Sequence, residues 1–175
     1  AKLMKSSKPV DINDMISASK STASPEGVIV EGIDNCLIKL SRCCDPLPGD
    51  PIIGFITRGH GVSIHKRDCN NVPKEIEKAS EPERWIKAYW QKGKQDFFKS
   101  HLQIHSVDRP MLLADISLAV AAMRVPLLAV NARQTSSGDC VIDITVSTES
   151  VEHLKSIVKK LEKVQGVISV ERSNA

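Results

Sequence analysis

The sequence predicts an α+β chain in two parts, a small strand-rich segment followed by a β-α-β-β-α-β unit. Three observations predict it. Between positions 28 and 92 the apolar residues come in short runs broken by Gly, Pro, Asp and Asn, as strands joined by tight turns require. Beyond position 97 the apolar spacing switches between two residues and about 3.6, the periods of strand and helix. Four of the five cysteines fall between positions 36 and 69, so any thiol chemistry belongs to the first part.

Residues 1–27 read as a linker. Ser17 to Pro25 is small and polar with little to bury, and Pro9 to Ile16 offers at most a helical turn or two. Strands are expected at Val28–Glu31, Cys36–Leu40, Ile52–Thr57, Val62–His65 and Arg84–Trp90. A short helix is expected over Asp68–Ile76. Asp45-Pro-Leu-Pro-Gly-Asp50 and Arg58-Gly-His-Gly61 read as turns, and Gln91–Asp96 as a second linker. In the second part Phe98, Leu102 and Ile104 share one strand face, with His101, Gln103 and His105 on the other. Asp108-Arg-Pro110 opens a helix carrying Leu112, Ile116, Ala119, Val120 and Met123 at helical spacing, and Pro126 blocks its continuation. Leu128, Val130 and Ala132 alternate as a strand, and Ser136–Asp139 is a hairpin turn. Cys140, Ile142, Ile144 and Val146 form the next inward face. Val151, Leu154, Ile157, Val158, Leu161 and Val164 give a second amphipathic helix with Gly166 as its stop, and Val167–Arg172 is the last strand. Helices in this order pack on one face of a four-stranded antiparallel sheet, the ferredoxin-like arrangement.

Composition excludes several classes. No apolar run approaches the about 18 residues of a membrane helix, and the start AKLMKSSKPVDIND has no apolar core of a secretory signal. An odd number of cysteines without such a signal points to reduced thiols and a cytoplasmic protein. The chain opens on Ala1, not Met, and reads as part of something longer. Basic residues outnumber acidic by 24 to 21, too few to argue nucleic-acid binding from net charge. No Gly-rich phosphate loop of the P-loop type and no acid–base dyad is evident, so the chain is expected to be catalytically silent.

The tail, through Asp108–Ile116, Asn131-Ala-Arg133 and Gly166–Val170, resembles an ACT domain, a small regulatory module that often binds amino acids. The resemblance covers about 97–173 and implies a ligand site at Asp108, Arg109, Met111, Leu112 and Asn131. Related modules usually carry Gly where Met111 stands, and a Met side chain there would fill the pocket. Regulation or assembly without a small ligand therefore stands beside amino-acid binding. A strand face without aromatics, Val141–Val146, argues against RNA stacking on this sheet.

The first part is more specific. Ser41-Arg-Cys-Cys-Asp-Pro-Leu-Pro-Gly-Asp50, Gly54–His65 and Cys69-Asn-Asn-Val72 resemble the conserved-cysteine, zinc-finger-like region of the long RelA/SpoT proteins of the stringent response, which make and degrade (p)ppGpp. In that family the region, here about 28–92, precedes an ACT domain, the order found here. The resemblance implies a regulatory fragment with the ribosome and its rRNA, and the upstream catalytic domains of the same protein, as partners. The parent would be a GTP diphosphokinase, a (p)ppGpp hydrolase or both. A free-standing amino-acid-binding regulator and a self-associating homodimer module are the rival readings. Cys43, Cys44, His65 and Cys69 offer a Cys₃His set for zinc, with a metal-free thiol core as the alternative. Arg58, His60, Lys66 and Arg67 lie near glycines, which fits either an RNA-contact loop or a solvated turn. Trp85, Tyr89, Trp90, Phe97 and Phe98 are five of six aromatics in the chain, and packing between strand and neighbouring module is the simplest use of them.

Overall fold

The computed structural model describes residues 27–93 and 96–174. The linker expected over 1–27 and the helical turn at Pro9–Ile16 lie outside the described residues, apart from Gly27.

Five short strands form the first sheet: β1 (Val28–Val30), β2 (Ile38–Leu40), β3 (Ile52–Ile56), β4 (Val62–Lys66) and β5 (Trp85–Trp90), in the order β1-β5-β3-β4-β2. All neighbours are antiparallel except β2 and β4. Val28, Val30, Ile38, Val62, Ile64 and Ala88 form its small core. Gly54 sits where a Cβ would come within 2.9 Å of Val62 and 3.0 Å of Ile86, so a side chain there would push strands apart. The helix expected over Asp68–Ile76 does not form. Tight turns replace it, with Cys69 N donating to Lys66 O and Val72 N to Cys69 O, and only single 3-10 turns occur at Ile76–Lys78 and Pro82–Arg84. Asn70, Asn71 and Pro73 disfavour helix at the middle of that stretch, and its apolar residues are too few to bury one.

The second part is α+β and ferredoxin-like: β6 (Phe98–Val107), α1 (Leu112–Ala122), β7 (Leu127–Gln134), β8 (Asp139–Thr148), α2 (Val151–Leu161) and β9 (Val167–Ser173). The sheet order is β7-β8-β6-β9, antiparallel throughout. Leu102, Ile104, Ile142, Ile144 and Val146 point to the helices, where Ile116, Val120, Leu154, Ile157 and Leu161 meet them fully or nearly fully buried. Ser150 caps α2, its Oγ accepting from His153 N at 3.2 Å. Two endings differ from expectation. Asp108-Arg-Pro110 precedes α1 instead of forming its first turn, and α2 stops at Leu161, five residues before Gly166. β7 is an edge strand, and its apolar Leu128 and Val130 remain 49% and 39% exposed.

The two sheets are joined by the loop that follows the paired cysteines. Leu47, flanked by Pro46 and Pro48, is fully buried in the core of the second sheet. Val151 N, at the start of α2, donates to Pro48 O at 3.0 Å. Arg172 of β9 donates to Asp50 at 3.0 and 3.2 Å and to the Asp45 carbonyl, while His101 lies 3.8 Å from the Asp45 carboxylate. Trp90 Nε1 donates to Asp50 O at 3.0 Å, and its ring meets Phe98 edge-on with centroids 5.8 Å apart. What reads in sequence as a turn, Asp45–Asp50, is a clasp between modules.

Candidate metal centre and its surroundings

The peptide Ser41–Asp45 turns back on itself. Asp45 N donates to Ser41 O at 3.0 Å and Asp45 takes a positive φ of 41°, so adjacent Cys43 and Cys44 can face one point although strand neighbours would diverge. β4 supplies His65, and the turn after it, closed by Cys69 N to Lys66 O, supplies Cys69. Cys43 Sγ lies 3.4 Å from Cys69 Sγ, 3.9 Å from Cys44 Sγ and 3.3 Å from His65 Nδ1, and Cys44 Sγ lies 4.0 Å from the same nitrogen. All four donor atoms fall within 4.8 Å of one another. A tetrahedral zinc with ligand distances of about 2.0–2.3 Å needs donors spaced in this range, and Cys₃His is a structural donor set for that ion.

The surroundings suit thiolates. Lys66 N points at Cys44 Sγ at 3.3 Å, Ser41 Oγ lies 3.1 Å from Cys43 Sγ, and Ser63 Oγ lies 3.4 Å from His65 Nε2, holding the ring with Nδ1 inward. Burial works to raise the Cys43 thiol, but hydrogen bonds from Ser41, Asn71, Cys69 and Cys44 together outweigh it and hold the group below its ordinary value. Burial, with the nearby Cys43 charge added, pushes Cys44 up to about 12, against the Lys66 amide. Burial also lowers His65, favouring the neutral imidazole that binds metal. Cys43 therefore ionises more easily than an ordinary thiol, and Cys44 less easily.

The four residues expected to contact RNA do not form one patch. Arg58 is exposed and paired with Glu81 at 2.8 Å; Glu81 is shared with Arg84, whose guanidinium lies 4.4 Å over the Phe55 ring. His60 is exposed at the tip of the β3–β4 hairpin. Lys66 stands at the other end of β4, 3.9 Å from Asp68, and Arg67 bonds the carbonyls of Pro73 and Lys74. Sequence adjacency misleads because Lys66 and Arg67 stand at the far end of the five-residue β4 from the tip.

Asp108, Arg109, Met111 and Leu112 do come together, with Ala132, Cys140 and Ile142, around a cavity of about 220 Å³. Asn131 is not part of its wall; it sits on β7 opposite Asp143. Met111 takes φ 67° at the start of α1, the left-handed conformation glycine accepts most readily, and its side chain is 69% exposed instead of filling the space. Arg109 is occupied by Asp115 at 2.6 Å and Gln165 O at 2.9 Å, and Asp108 accepts from Gln134. Sequence reasoning missed Leu47, whose only signal is an apolar residue isolated between two prolines.

Comparison with known proteins fits this layout. The RelA/SpoT RIS domain family matches residues 28–91 and an ACT domain family matches 94–172. A GTP pyrophosphokinase of Streptomyces coelicolor is 35% identical over 153 residues, 87% of this chain and 18% of that protein. The bifunctional (p)ppGpp synthase/hydrolase RelA of Mycobacterium tuberculosis is 37% identical over 83% of this chain and 19% of its own length. The chain therefore spans about a fifth of these relatives. Among solved structures, the ACT domain from GTP pyrophosphokinase of Chlorobium tepidum is 20% identical, covering 45% of this chain and all of that one, at a TM-score of 0.40. Among the described residues no helix is long and apolar enough to cross a membrane. The chain belongs to the RelA/SpoT family and carries its C-terminal regulatory region, a RIS domain followed by an ACT domain.

Proposed function

We propose that this chain senses the state of the ribosome in the cytoplasm and passes it to upstream domains that make or degrade (p)ppGpp, without turnover of its own. The observation that carries the reading is the clasp: the loop leaving Cys43 and Cys44 supplies Leu47 to the core of the ACT module and Asp50 to Arg172. A contact felt by the first sheet is thereby mechanically tied to the second, as a two-state relay requires. Zinc at Cys43, Cys44, His65 and Cys69 would fix the root of that loop; bound there, it supplies structural cross-linking and no catalytic step.

Two measurements test the reading. The purified chain should pellet with ribosomes and should turn over neither GTP plus ATP nor ppGpp above a blank. The parent enzyme carrying Arg172→Ala should show a changed ratio of synthesis to hydrolysis with ribosomes present; an unchanged ratio removes the relay. Amino-acid sensing is the weaker reading because Arg109, the cation able to hold a ligand carboxylate, is already on Asp115. Calorimetric titration with branched-chain amino acids decides it. Self-association is favoured by one specific feature, the exposed apolar residues Leu128 and Val130 on the edge strand β7, and sedimentation measures it.

A further inference from the structure

Where α2 and β9 meet the clasp, the two modules enclose a groove of about 650 Å³. One stripe of α2 lines it, Val151, Leu154, Lys155, Val158 and Lys159, with Glu162 just past the helix end. The loop Gly49–Pro51 closes it from the first module. Val151 and Val158 are only half-buried and Pro51 is exposed, so the floor keeps apolar surface in contact with water. The charges around it are unequal. Arg172 is held by Asp50, and Lys66 lies 3.9 Å from Asp68. Among the described residues Lys155 and Lys159 are exposed and make no ion pair, and Glu162 is the one acid of the lining that is also unpaired. Like charges one turn apart on a helix repel, and these two cations against one carboxylate leave the rim short of acid.

The groove is built before anything enters it. Val151 N donates to Pro48 O at 3.0 Å, and Trp90 Nε1 to Asp50 O at 3.0 Å. Gly49 takes φ 104°, and a Cβ there would meet Glu152 Oε2 at 3.3 Å and Val151 Cβ at 3.4 Å, so the loop lies close on the first turn of α2. An occupant would lose little in ordering this frame and would touch both modules at once.

We propose that residues 10–16 of the same chain, Val10-Asp-Ile-Asn-Asp-Met-Ile16, fill this groove. The segment lies outside the described residues, and its chemistry complements the groove: four apolar side chains, Val10, Ile12, Met15 and Ile16, two carboxylates, Asp11 and Asp14, and no base. The apolar side chains cover Val151, Val158 and Pro51, and the carboxylates reach Lys155 and Lys159. Position and reach agree with this. Gly27 O accepts from Gln91 N at 2.8 Å, and Val28 pairs with Trp90, whose indole ends on the groove wall at Asp50. The chain thus enters β1 about one strand spacing and one indole from the groove. Residues 17–26 between them are ten small or polar residues, able to span up to about 36 Å, well beyond that gap. Such a tether holds the segment at an effective concentration on the order of millimolar, so a contact of modest intrinsic strength is enough. Neither a ribosome nor a bound metal is needed for this docking.

The test is photo-crosslinking within the full chain. A benzophenone amino acid replaces Asn13, in the middle of the segment, where it removes neither an apolar side chain nor a carboxylate. After irradiation, mass spectrometry should place most crosslinks on residues 49–51, 151–162 or 170–172. Asp11→Lys plus Asp14→Lys should lower the docked-to-undocked ratio about five- to tenfold, as exposed ion pairs turn into repulsions. Lys155→Glu plus Lys159→Glu should do the same, and the two reversals together should recover most of the yield. Ile12→Ser plus Met15→Ser should lower it at unchanged charge. These positions are either exposed or outside the described residues, and circular dichroism of each variant should match wild type. Mixing light chain with isotope-labelled heavy chain tells whether both ends of a crosslink come from one molecule. Crosslinks gathered elsewhere, for example on β7, overturn the proposal, and so do yields that neither reversal changes. Loss without recovery in the combined variant overturns the pairing on which it stands. Crosslinks chiefly between heavy and light chains mean that a second copy supplies the segment, and overturn docking within one chain.

Discussion

Among the described residues, fifteen buried side chains form the core of the second sheet, one of them lent by the first module, whereas six form the core of the first. The second module also has two eleven-residue helices, while the first has none among the described residues. A domain of the first module's size buries too little apolar surface to be stable with ease, and small modules of this kind are commonly stapled by a metal or by a larger neighbour. This one has a candidate for each: the Cys₃His cluster at one end of its core and the clasp to the ACT module beside it. The comparison teaches that the cysteine module is held from outside its own core and the ACT module from within.

The largest expected effect follows from removing the metal. Structural zinc contributes about 10–16 kcal/mol in small zinc-binding peptides, more than a module with so small a core can hold in reserve. Both tryptophans, Trp85 and Trp90, lie on β5 of the first sheet, and both long helices lie in the second. Chelation, or Cys44→Ser, should therefore red-shift tryptophan emission while leaving most helical circular dichroism in place. Elemental analysis should give about one zinc per chain in wild type. A folded first sheet with far less zinc than that would make the cluster a thiol core and break the comparison at its root.

Next in size is Leu47→Ala. The residue belongs to the first module by sequence and to the second by burial, at 0% exposure. Truncating a buried leucine costs about 2.7–5 kcal/mol, depending on how far the site collapses. Denaturant unfolding followed by helical circular dichroism should register the loss. If only tryptophan fluorescence shifted, the loop would be serving its own sheet and the clasp would be decorative. Arg172→Ala should cost less, about 1–3 kcal/mol, since it leaves the largely buried Asp50 carboxylate and the Asp45 carbonyl without that donor. Its effect should appear as separation of the tryptophan and helix transitions, which coincide while the clasp holds.

The two modules also differ in how far their sequences disclose them. In the ACT module the spacing of Leu112, Ile116 and Val120, and of Leu154, Ile157 and Leu161, states both element and buried face, because long periodic segments leave little choice. The cysteine module offers three- to six-residue strands, and Asp68–Ile76 was open to a helical reading that its asparagines and Pro73 override. The Cys₃His set was visible from residue types alone; that adjacent Cys43 and Cys44 converge needed the turn closed by Ser41 and Asp45. The basic residues were least legible. Whether Arg58 is free depends on Glu81, 23 positions away, and no local pattern reports such a pairing. Leu47 shows the same limit, since periodicity tells which residues are buried by their own element and is silent on those buried by a neighbour.

The smallest effect sharpens the comparison at the surface of the first sheet. Glu81 is bracketed by Arg58 and Arg84, whose hydrogen bonds, that of Arg58 first, hold its carboxyl below the usual carboxylate value. A carboxyl whose folded value is depressed contributes its stability above the unfolded value and loses it as pH falls through the folded one. Glu81→Gln should therefore lower the melting temperature slightly at about pH 7, and the difference from wild type should close as the pH is taken down to about 3, below the ordinary carboxylate range. Calorimetry across that interval, at low and high salt, checks the sign. The shift should shrink at high salt, because an exposed pair is screened. It should also be far smaller than that of Leu47→Ala or Cys44→Ser, since a module clasped to a larger neighbour and carrying a candidate metal centre would take little from its surface charges. A large, salt-insensitive loss would mean that Arg84, stacked on Phe55 and bonded to the Ile56 carbonyl at 2.8 Å, is positioned by Glu81 as part of the core. In that case the first sheet is more self-sufficient than its six buried side chains imply.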